Sequence, residues 1–252
     1  MTAATVPVLE TRDIAVHYGG IKALDGISLS LRAGAIHGIL GPNGSGKTTL
    51  VAAVTRLIPL TRGDLLFDGV SHATTAPHEI ARRGIARTFQ TVRLLPDRTV
   101  YDNVALAVAV RGAGTKRSSA RKRADIDDAV ERTGIRSLLA RYPDELSYGA
   151  QRRVEIARAI ARKPRLLLLD EPTAGMNGPE REEITGLLTT LRDEGLTQLL
   201  IEHDVRMMVD TCDHLYAMNF GRLIASGAPS DVVRNAEVRA AYLGKRGERE
   251  HA

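Results

Sequence analysis

The sequence contains a single cysteine, which excludes an internal disulfide. A lone thiol fits a reducing compartment, and we interpret Cys212 as a packing residue rather than a nucleophile. No apolar run reaches the length of about eighteen residues that suggests a membrane span, so we expect none. The segment 1–10 lacks a basic region followed by an apolar core, so we also expect no secretory signal.

Aromatic residues are scarce, at 4% of the chain, and this affects how the main cluster of positive charge is interpreted. The net charge is +5, and part of the excess lies in a basic run at residues 116–123. Such a run could contact nucleic acid or anionic lipid. No aromatic side chains interleave with it for base stacking. We therefore interpret the run as a solvated helix face or loop and expect no nucleic-acid partner.

The remaining composition is that of a globular protein. Hydrophobic residues make up 43% and charged residues 26% of the chain, which permits a sizeable core. With 252 residues the chain can form one large α/β domain or two small ones. It contains no internal repeat and no low-complexity linker.

Residues 41–48 match the pattern of a phosphate-binding loop, in which a glycine and four further residues precede Gly-Lys-Thr. The apolar segment 35–40 predicts a buried strand before the loop, and the segment 49–57 predicts a helix after it. This context favours a phosphate loop over a glycine-rich turn with a chance lysine. The loop therefore predicts a site for a nucleoside triphosphate.

Each part of the loop has a physical role in holding phosphate. The glycines let backbone N–H groups turn towards an anion, and the helix N-terminus adds partial positive charge. Lys47 would neutralise the β- and γ-phosphates, and the Thr48 hydroxyl would hold Mg²⁺. The residues predicted to contact the nucleotide are Gly41, Pro42, Asn43, Gly44, Ser45, Gly46, Lys47, Thr48 and Thr49.

An acidic pair, Asp170 and Glu171, follows a second apolar run at residues 166–169. Two acids can simply terminate a strand, but a phosphate loop needs a carboxylate for its metal. We assign Asp170 to Mg²⁺. Glu171 would then act as the general base for the water that attacks the γ-phosphate. In an extended strand end the two side chains would point in different directions.

Three single residues are weaker candidates. Gln90 ends a predicted strand and could ligate Mg²⁺ or sense the γ-phosphate, although a loop amide is the simpler interpretation. His203 ends another predicted strand, where ligands bind in parallel sheets, but a lone histidine is more often structural. Tyr18 precedes two glycines and could stack on a base, or it could be an exposed turn residue.

The hydrophobic patterns predict an α/β fold whose core is interrupted by helices. Predicted strands cover residues 9–18, 27–31, 35–40, 65–67, 85–89, 165–170, 197–201, 214–219 and 222–226. Predicted helices cover residues 49–57, 101–111, 119–132, 149–162, 179–194, 205–211 and 229–243. We expect a mainly parallel sheet, an antiparallel β subdomain that pairs the first two strands, and an inserted helical subdomain. The boundaries are 1–95 and 163–229 for the core with its β subdomain, 96–162 for the helical subdomain, and 230–252 for a C-terminal helix and tail.

A further motif, Leu-Ser-Tyr-Gly-Ala-Gln, lies at residues 146–151, between the phosphate loop and the acidic pair. With this motif, the chain resembles the ATP-binding subunit of an ABC transporter over nearly its whole length. Ser147 and the amide of Gly149 would lie at a helix N-terminus, which is a second anion-binding device. The resemblance implies that this device contacts the γ-phosphate of ATP held by an opposite subunit.

The same resemblance implies roles for the single residues. Tyr18 would stack on adenine, Gln90 would be the Q-loop glutamine and His203 the switch histidine. The expected cofactors are ATP and Mg²⁺, held by a P-loop NTPase core.

Several segments are similar to the branched-chain amino acid importer ATPases, more to the subunit with the longer Arg-Thr-Phe-Gln region than to its paralogue. These segments are residues 87–94, 146–151, 171–177, 201–205 and 241–244. The resemblance implies a second ATPase subunit, either a paralogue or the same chain, two membrane permeases and, indirectly, an extracytoplasmic solute-binding protein. The chain would lie on the cytoplasmic face of the inner or plasma membrane.

Two departures and three alternatives remain. Ala150 stands where this branch usually has glutamine, and Asn177 where the wider family has aspartate; we expect hydrolysis to survive both.

A lipopolysaccharide-export ATPase looks similar. A soluble ABC ATPase acting on ribosomes or DNA would usually carry two cassettes or a long coiled-coil insert. Glu171 and His203 argue against a scaffold that does not hydrolyse ATP.

Overall fold

The computed structural model describes residues 6–111 and 118–247. Its strands are β1 (Leu9–Tyr18), β2 (Ile21–Leu31), β3 (Ile36–Leu40), β4 (Arg62–Phe67), β5 (Val70–Ser71), β6 (Ile85–Arg87), β7 (Leu166–Asp170), β8 (Thr197–Ile201), β9 (His214–Asn219) and β10 (Arg222–Gly227). Its helices are α1 (Lys47–Val54), α2 (Pro77–Arg83), α3 (Val100–Arg111), α4 (Ser119–Arg132), α5 (Tyr148–Ile160), α6 (Gly178–Asp193), α7 (Val205–Thr211), α8 (Pro229–Arg234) and α9 (Ala236–Gly247). Among these helices, none combines the length and apolar character that a membrane crossing requires.

The chain forms two compact units, one made of residues 1–81 and 197–252 and the other of residues 82–196. In the first unit, β2, β1, β4 and β5 form an antiparallel sheet in that order. Leu9 pairs with Leu31 on one side and with Phe67 on the other. Alternate residues over 27–31 are buried and exposed, as expected for a sheet with one covered face. The predicted pairing of the first two strands is confirmed.

The first unit also contains parallel strands. β3 pairs in parallel with β8 and β9, and β10 pairs antiparallel with β9. All residues of β3 and β8 are buried, which explains their unbroken apolar runs. Gly38 of β3 has no room for a side chain, because a Cβ there would meet Leu215 and would lie 2.8 Å from Cys212 Sγ.

Cys212 is thus a packing residue, as predicted. Its side chain is buried, and burial raises the pKa of its thiol to about 12. A thiol with that pKa is protonated at neutral pH and is a poor nucleophile.

The second unit combines a parallel strand pair with helices. β6 and β7 pair with Ile85 opposite Leu166, and every residue of β7 is buried. α3 packs on both α4 and α5. The predicted α/β class, with parallel and antiparallel sheets and several helices, is confirmed. The division into core, helical subdomain and C-terminal part stays a prediction.

Several predicted elements were wrong in extent. The strands predicted at 27–31 and 65–67 extend over 21–31 and 62–67. The predicted strand 85–89 ends at Arg87, so Gln90 lies in the following loop rather than at the strand end. The helix predicted at 49–57 begins at Lys47 and ends at Val54. The helix predicted at 229–243 is two helices, because Asn235 adopts an extended ψ of 131°. Its side-chain Oδ1 accepts hydrogen bonds from the N–H groups of Glu237 and Val238, so it caps a new helix.

One helix was not predicted, and two predicted features fall partly outside the described residues. α2 buries only Ile80, too little for a periodic signal. Residues 116–117 of the basic run lie outside the described residues, and residues 118–123 form the N-cap and first part of α4. The C-terminal tail at 248–252 also lies outside them.

Candidate functional site

The phosphate loop joins the buried end of β3 to the first residue of α1. Gly44 and Gly46 have φ angles of 82° and 102°, in the left-handed region that glycine adopts without strain. A Cβ on Gly46 would also lie 2.6 Å from the carbonyl oxygen of Ala23. These glycines are therefore required by the path of the loop itself.

Lys47 curls back over the loop. Its Nζ donates to the carbonyl oxygens of Gly41 at 2.6 Å and Pro42 at 3.0 Å. The buried hydroxyl of Ser45 makes no hydrogen bond to any residue that the structure describes. The Thr48 side chain faces solvent from the first turn of α1. An ammonium group, an unsatisfied buried hydroxyl and an exposed hydroxyl around glycine backbone fit a phosphate chain and a metal bound to it.

The turn between β9 and β10 contacts the phosphate loop through backbone hydrogen bonds. The N–H of Gly221, between β9 and β10, donates to Ser45 O at 3.0 Å, and its carbonyl accepts from Asp25 N–H at 2.8 Å. At φ 75° a Cβ on Gly221 would lie 2.8 Å from the oxygen of Ala23. The phenol of Tyr242 in α9 also lies against the backbone of Gly41, and burial raises its pKa to about 12. Neither support could be identified from sequence, since both depend on chain segments far from the loop.

Two predicted site residues of the first unit are exposed. The Tyr18 side chain is 53% exposed at the end of β1 and precedes Gly19, whose φ is 57°. His203 follows β8, and its side chain is 62% exposed. Its Nδ1 lies 3.6 Å from Oε2 of Glu202, which is itself buried. Both side chains are accessible to a ligand.

In the second unit, Asp170 ends β7 and forms a largely buried ion pair with a residue of the neighbouring strand. Arg87 of β6 donates from Nη2 to Asp170 Oδ2 at 3.0 Å, and both side chains are largely buried. The guanidinium of Arg87 also lies 5.2 Å from the ring centre of Phe89. This cationic partner for the predicted metal ligand was not identified from the sequence.

Glu171 and Gln90 are brought together. Gln90 Nε2 donates to Glu171 Oε2 at 2.9 Å. Glu171 has a φ of 47°, which is unusual for a residue with a side chain. Its carboxylate direction is therefore set by a left-handed turn, and the expectation of an extended strand end at Glu171 was wrong. Because of this turn, the Glu171 carboxylate can accept the hydrogen bond from Gln90 while the adjacent Asp170 pairs with Arg87.

The motif at 146–151 forms the start of α5, as predicted. Ser147 is the N-cap residue, and its hydroxyl accepts from the N–H of Ala150 at 3.3 Å. The N–H of Gly149 donates to Glu180 Oε1 at 3.4 Å. The helix start is thus already in contact with a carboxylate of the same chain.

A buried arginine connects α5 to the Gln90 segment. Arg152 donates to the carbonyl oxygens of Phe89 at 2.6 Å and Gln90 at 2.7 Å. It also donates to Glu155 Oε2 at 2.6 Å and to the Tyr148 hydroxyl at 3.1 Å. Sequence reasoning missed this residue, because an arginine on a helix usually faces solvent.

Comparisons with known proteins agree with this geometry. Residues 24–174 match the family model described as ABC transporter, and residues 222–248 match one described as Branched-chain amino acid ATP-binding cassette transporter. The chain is 35% identical to the high-affinity branched-chain amino acid transport ATP-binding protein BraF of Pseudomonas aeruginosa, over 95% of this chain and 98% of the relative.

Two further similarities extend the comparison. The chain is 34% identical to the lipopolysaccharide export system ATP-binding protein LptB of Haemophilus influenzae, over 94% of this chain and 98% of the relative. A crystal structure of the ADP conformation of MJ1267, an ATP-binding cassette of an ABC transporter, superimposes with a TM-score of 0.86 at 31% identity. That similarity covers 95% of this chain and all of the other.

Proposed function

Because this chain belongs to the ABC transporter family of ATP-binding, ATP-hydrolysing subunits, we propose that it drives the import of branched-chain amino acids or related small polar solutes. The observation that carries the proposal is the match of residues 222–248 to the branched-chain amino acid transporter model. The similarity to BraF over nearly the full length agrees with it.

Lipopolysaccharide export is the second candidate function. LptB is almost as similar to this chain as BraF, so overall identity does not separate the two. The C-terminal match favours import.

The proposed nucleotide site assigns one task to each group of residues. The loop at 41–48 and Thr49 would surround the phosphates, with Lys47 neutralising their charge, and Tyr18 would stack on adenine. Thr48, Gln90 and Asp170 would hold Mg²⁺, which when bound reduces the repulsion between the phosphates and an attacking oxygen.

The proposed chemistry uses two further residues. Glu171 would take the proton of the attacking water, and Gln90, which donates to Glu171 at 2.9 Å, would orient that carboxylate. His203 would contact the γ-phosphate. The ion pair between Arg87 and Asp170 would open when Asp170 turns to a metal.

We infer that each site is completed by a second ATPase subunit, either a paralogue or a second copy of this chain. Ser147 and Gly149 at the start of α5 would contact the nucleotide of that partner. Two permeases would bind the pair at the cytoplasmic face of the membrane, and a solute-binding protein would deliver the cargo to them. Closure would align the attacking water and exclude other solvent.

The experiment that tests this function is reconstitution. The chain is co-purified with its permeases and solute-binding protein and placed in lipid vesicles, and phosphate release is measured. Hydrolysis should rise several-fold when the binding protein carries leucine, isoleucine or valine. If these amino acids have no effect and lipopolysaccharide stimulates hydrolysis, the import function is wrong and the second candidate is favoured.

A further inference from the structure

Glu180, in the first turn of α6, extends its carboxylate between the N-termini of two helices. Oε1 accepts from the N–H of Gly149 in α5 at 3.4 Å. Oε2 accepts from the N–H of Asn177, the N-cap residue of α6, also at 3.4 Å. Asn177 Oδ1 in turn accepts from Glu180 N–H at 3.0 Å, which completes a capping box. One carboxylate therefore satisfies N–H groups of two helix starts.

The contact with Gly149 is close along the whole side chain. A Cβ built on Gly149 would lie 3.1 Å from Glu180 Oε1 and 3.2 Å from its Cδ and Cγ. Gly149 is buried, whereas Ser147 beside it is exposed. The amide of Gly149 is thus covered by Glu180, while the Ser147 side chain remains accessible.

This contact bears on the proposed function, in which the Gly149 amide binds the γ-phosphate of the partner subunit's ATP. That N–H would have to exchange the carboxylate for a phosphate oxygen. The two anions would also repel each other at close range. Glu180 must therefore withdraw before the motif at 146–151 can bind nucleotide.

We propose that Glu180 is an autoinhibitory anion that occupies the Gly149 amide in the unpaired subunit and opposes ATP-driven closure of the dimer. The inference rests on the proposed function. It adds that the first turn of α6, through Asn177 and Glu180, controls when the start of α5 becomes available to the partner.

A substitution separates this role from ordinary helix capping. Glu180→Gln retains a residue suited to this position of a capping box and almost the same shape, but it removes the negative charge. Glu182→Gln is the matched control, because Glu182 is exposed on the same helix. Both changes are made in full-length chain that also carries Glu171→Gln, so that bound ATP is not consumed.

The dimer dissociation constant is measured by sedimentation velocity with saturating ATP and Mg²⁺. Glu180→Gln should tighten the dimer about two- to fivefold, the range expected for removing one charge that competes at a helix N-terminus. Glu182→Gln should leave it unchanged. The affinity of dilute, monomeric chain for a fluorescent ATP analogue should be the same in both variants, because neither glutamate belongs to the residues proposed to bind the subunit's own nucleotide. The melting temperature of Glu180→Gln should fall slightly, because its carboxylate contacts two helix N-termini, where a negative charge is stabilising.

Three results would overturn the inference. A dimer of equal or weaker affinity in Glu180→Gln, relative to Glu182→Gln, would show that the carboxylate does not oppose closure. If Glu180→Gln changed the ATP affinity of monomeric chain as much as it changed the dimer affinity, Glu180 would act on the local structure of the subunit instead. The absence of an ATP-dependent dimer in every variant would overturn the proposed subunit pairing and, with it, this inference.

Discussion

Glu171 illustrates how much of a site depends on the conformation of one residue. It is one of the few non-glycine residues of the described chain with a positive φ, at 47°, and such a conformation typically costs about 1 kcal/mol or more. The strain is retained where the chain passes from buried β7 into a turn, and the hydrogen bond from Gln90 fixes the carboxylate. The strained backbone and the hydrogen bond from Gln90 together fix the direction of the Glu171 carboxylate, as its proposed role as a general base requires.

At the residue scale, Glu171→Gln should leave ATP binding intact and greatly slow turnover. An amide fills the same space, but it cannot accept the proton of an attacking water. Phosphate release at saturating ATP should fall about 10²- to 10⁴-fold, the usual contribution of a general base. Glu79→Gln, a change at an exposed glutamate of α2, is the control and should retain full activity. Undiminished turnover in Glu171→Gln would mean that the base lies elsewhere.

At the element scale, α5 and the loop that follows β6 are tied together by one buried side chain. Arg152 is fully buried, and its guanidinium donates to Phe89 O and Gln90 O. Burial raises the pKa of Glu155, and the neighbouring Arg152 charge opposes that rise. The helix capped by Ser147 is thereby held to the loop that carries Gln90.

Arg152→Met should therefore lower the free energy of unfolding by about 3–5 kcal/mol, since it leaves Glu155 buried without its closest partner. Arg153→Met is a neighbouring control: Arg153 is partly exposed and lies 3.9 Å from Glu183, so its loss should cost at most about 1 kcal/mol. Urea unfolding curves provide both values. If both variants lost a similar free energy of unfolding, Arg152 would not be the residue that holds α5 to the Gln90 loop.

At the scale of the whole molecule, stability depends on pH through the buried histidine of β3. Burial lowers the pKa of His37 to about 4, and its Nε2 accepts from Arg32 N–H at 2.9 Å. Burial also lowers the pKa of His214, whose ring centre lies 5.9 Å from that of His37. Between pH 6.5 and 4 the unfolded chain therefore binds more protons than the folded one.

The free energy of unfolding should accordingly be highest above pH 6.5 and fall on acidification towards pH 4. His37 alone accounts for about 3 kcal/mol of this loss, from its shift and about 1.36 kcal/mol per pKa unit. Urea unfolding at several pH values measures the slope. His37→Gln should flatten it in this window, whereas His78→Gln, at an exposed position of α2, should not. An unchanged slope in His37→Gln would contradict the role of His37.

The sequence by itself determined the features that local physics controls. β1, β8, β9, α4 and α7 have the predicted bounds, because alternating or continuous apolar runs and capping residues specify them over a few neighbouring positions. The phosphate loop and the Ser147 cap follow from fixed spacings for the same reason. The order of these motifs along the chain also indicated the ABC transporter family, and the comparisons confirm that family.

Only the tertiary structure decided which side chains meet across large separations in the chain. Arg87 and Asp170, Gln90 and Glu171, and Gly149 and Glu180 each come from separate elements. The sequence alone does not reveal such pairings, because a charged residue looks the same whether it faces solvent or a buried partner. Their energies depend on burial and on distances of a few ångströms, which only the folded chain defines.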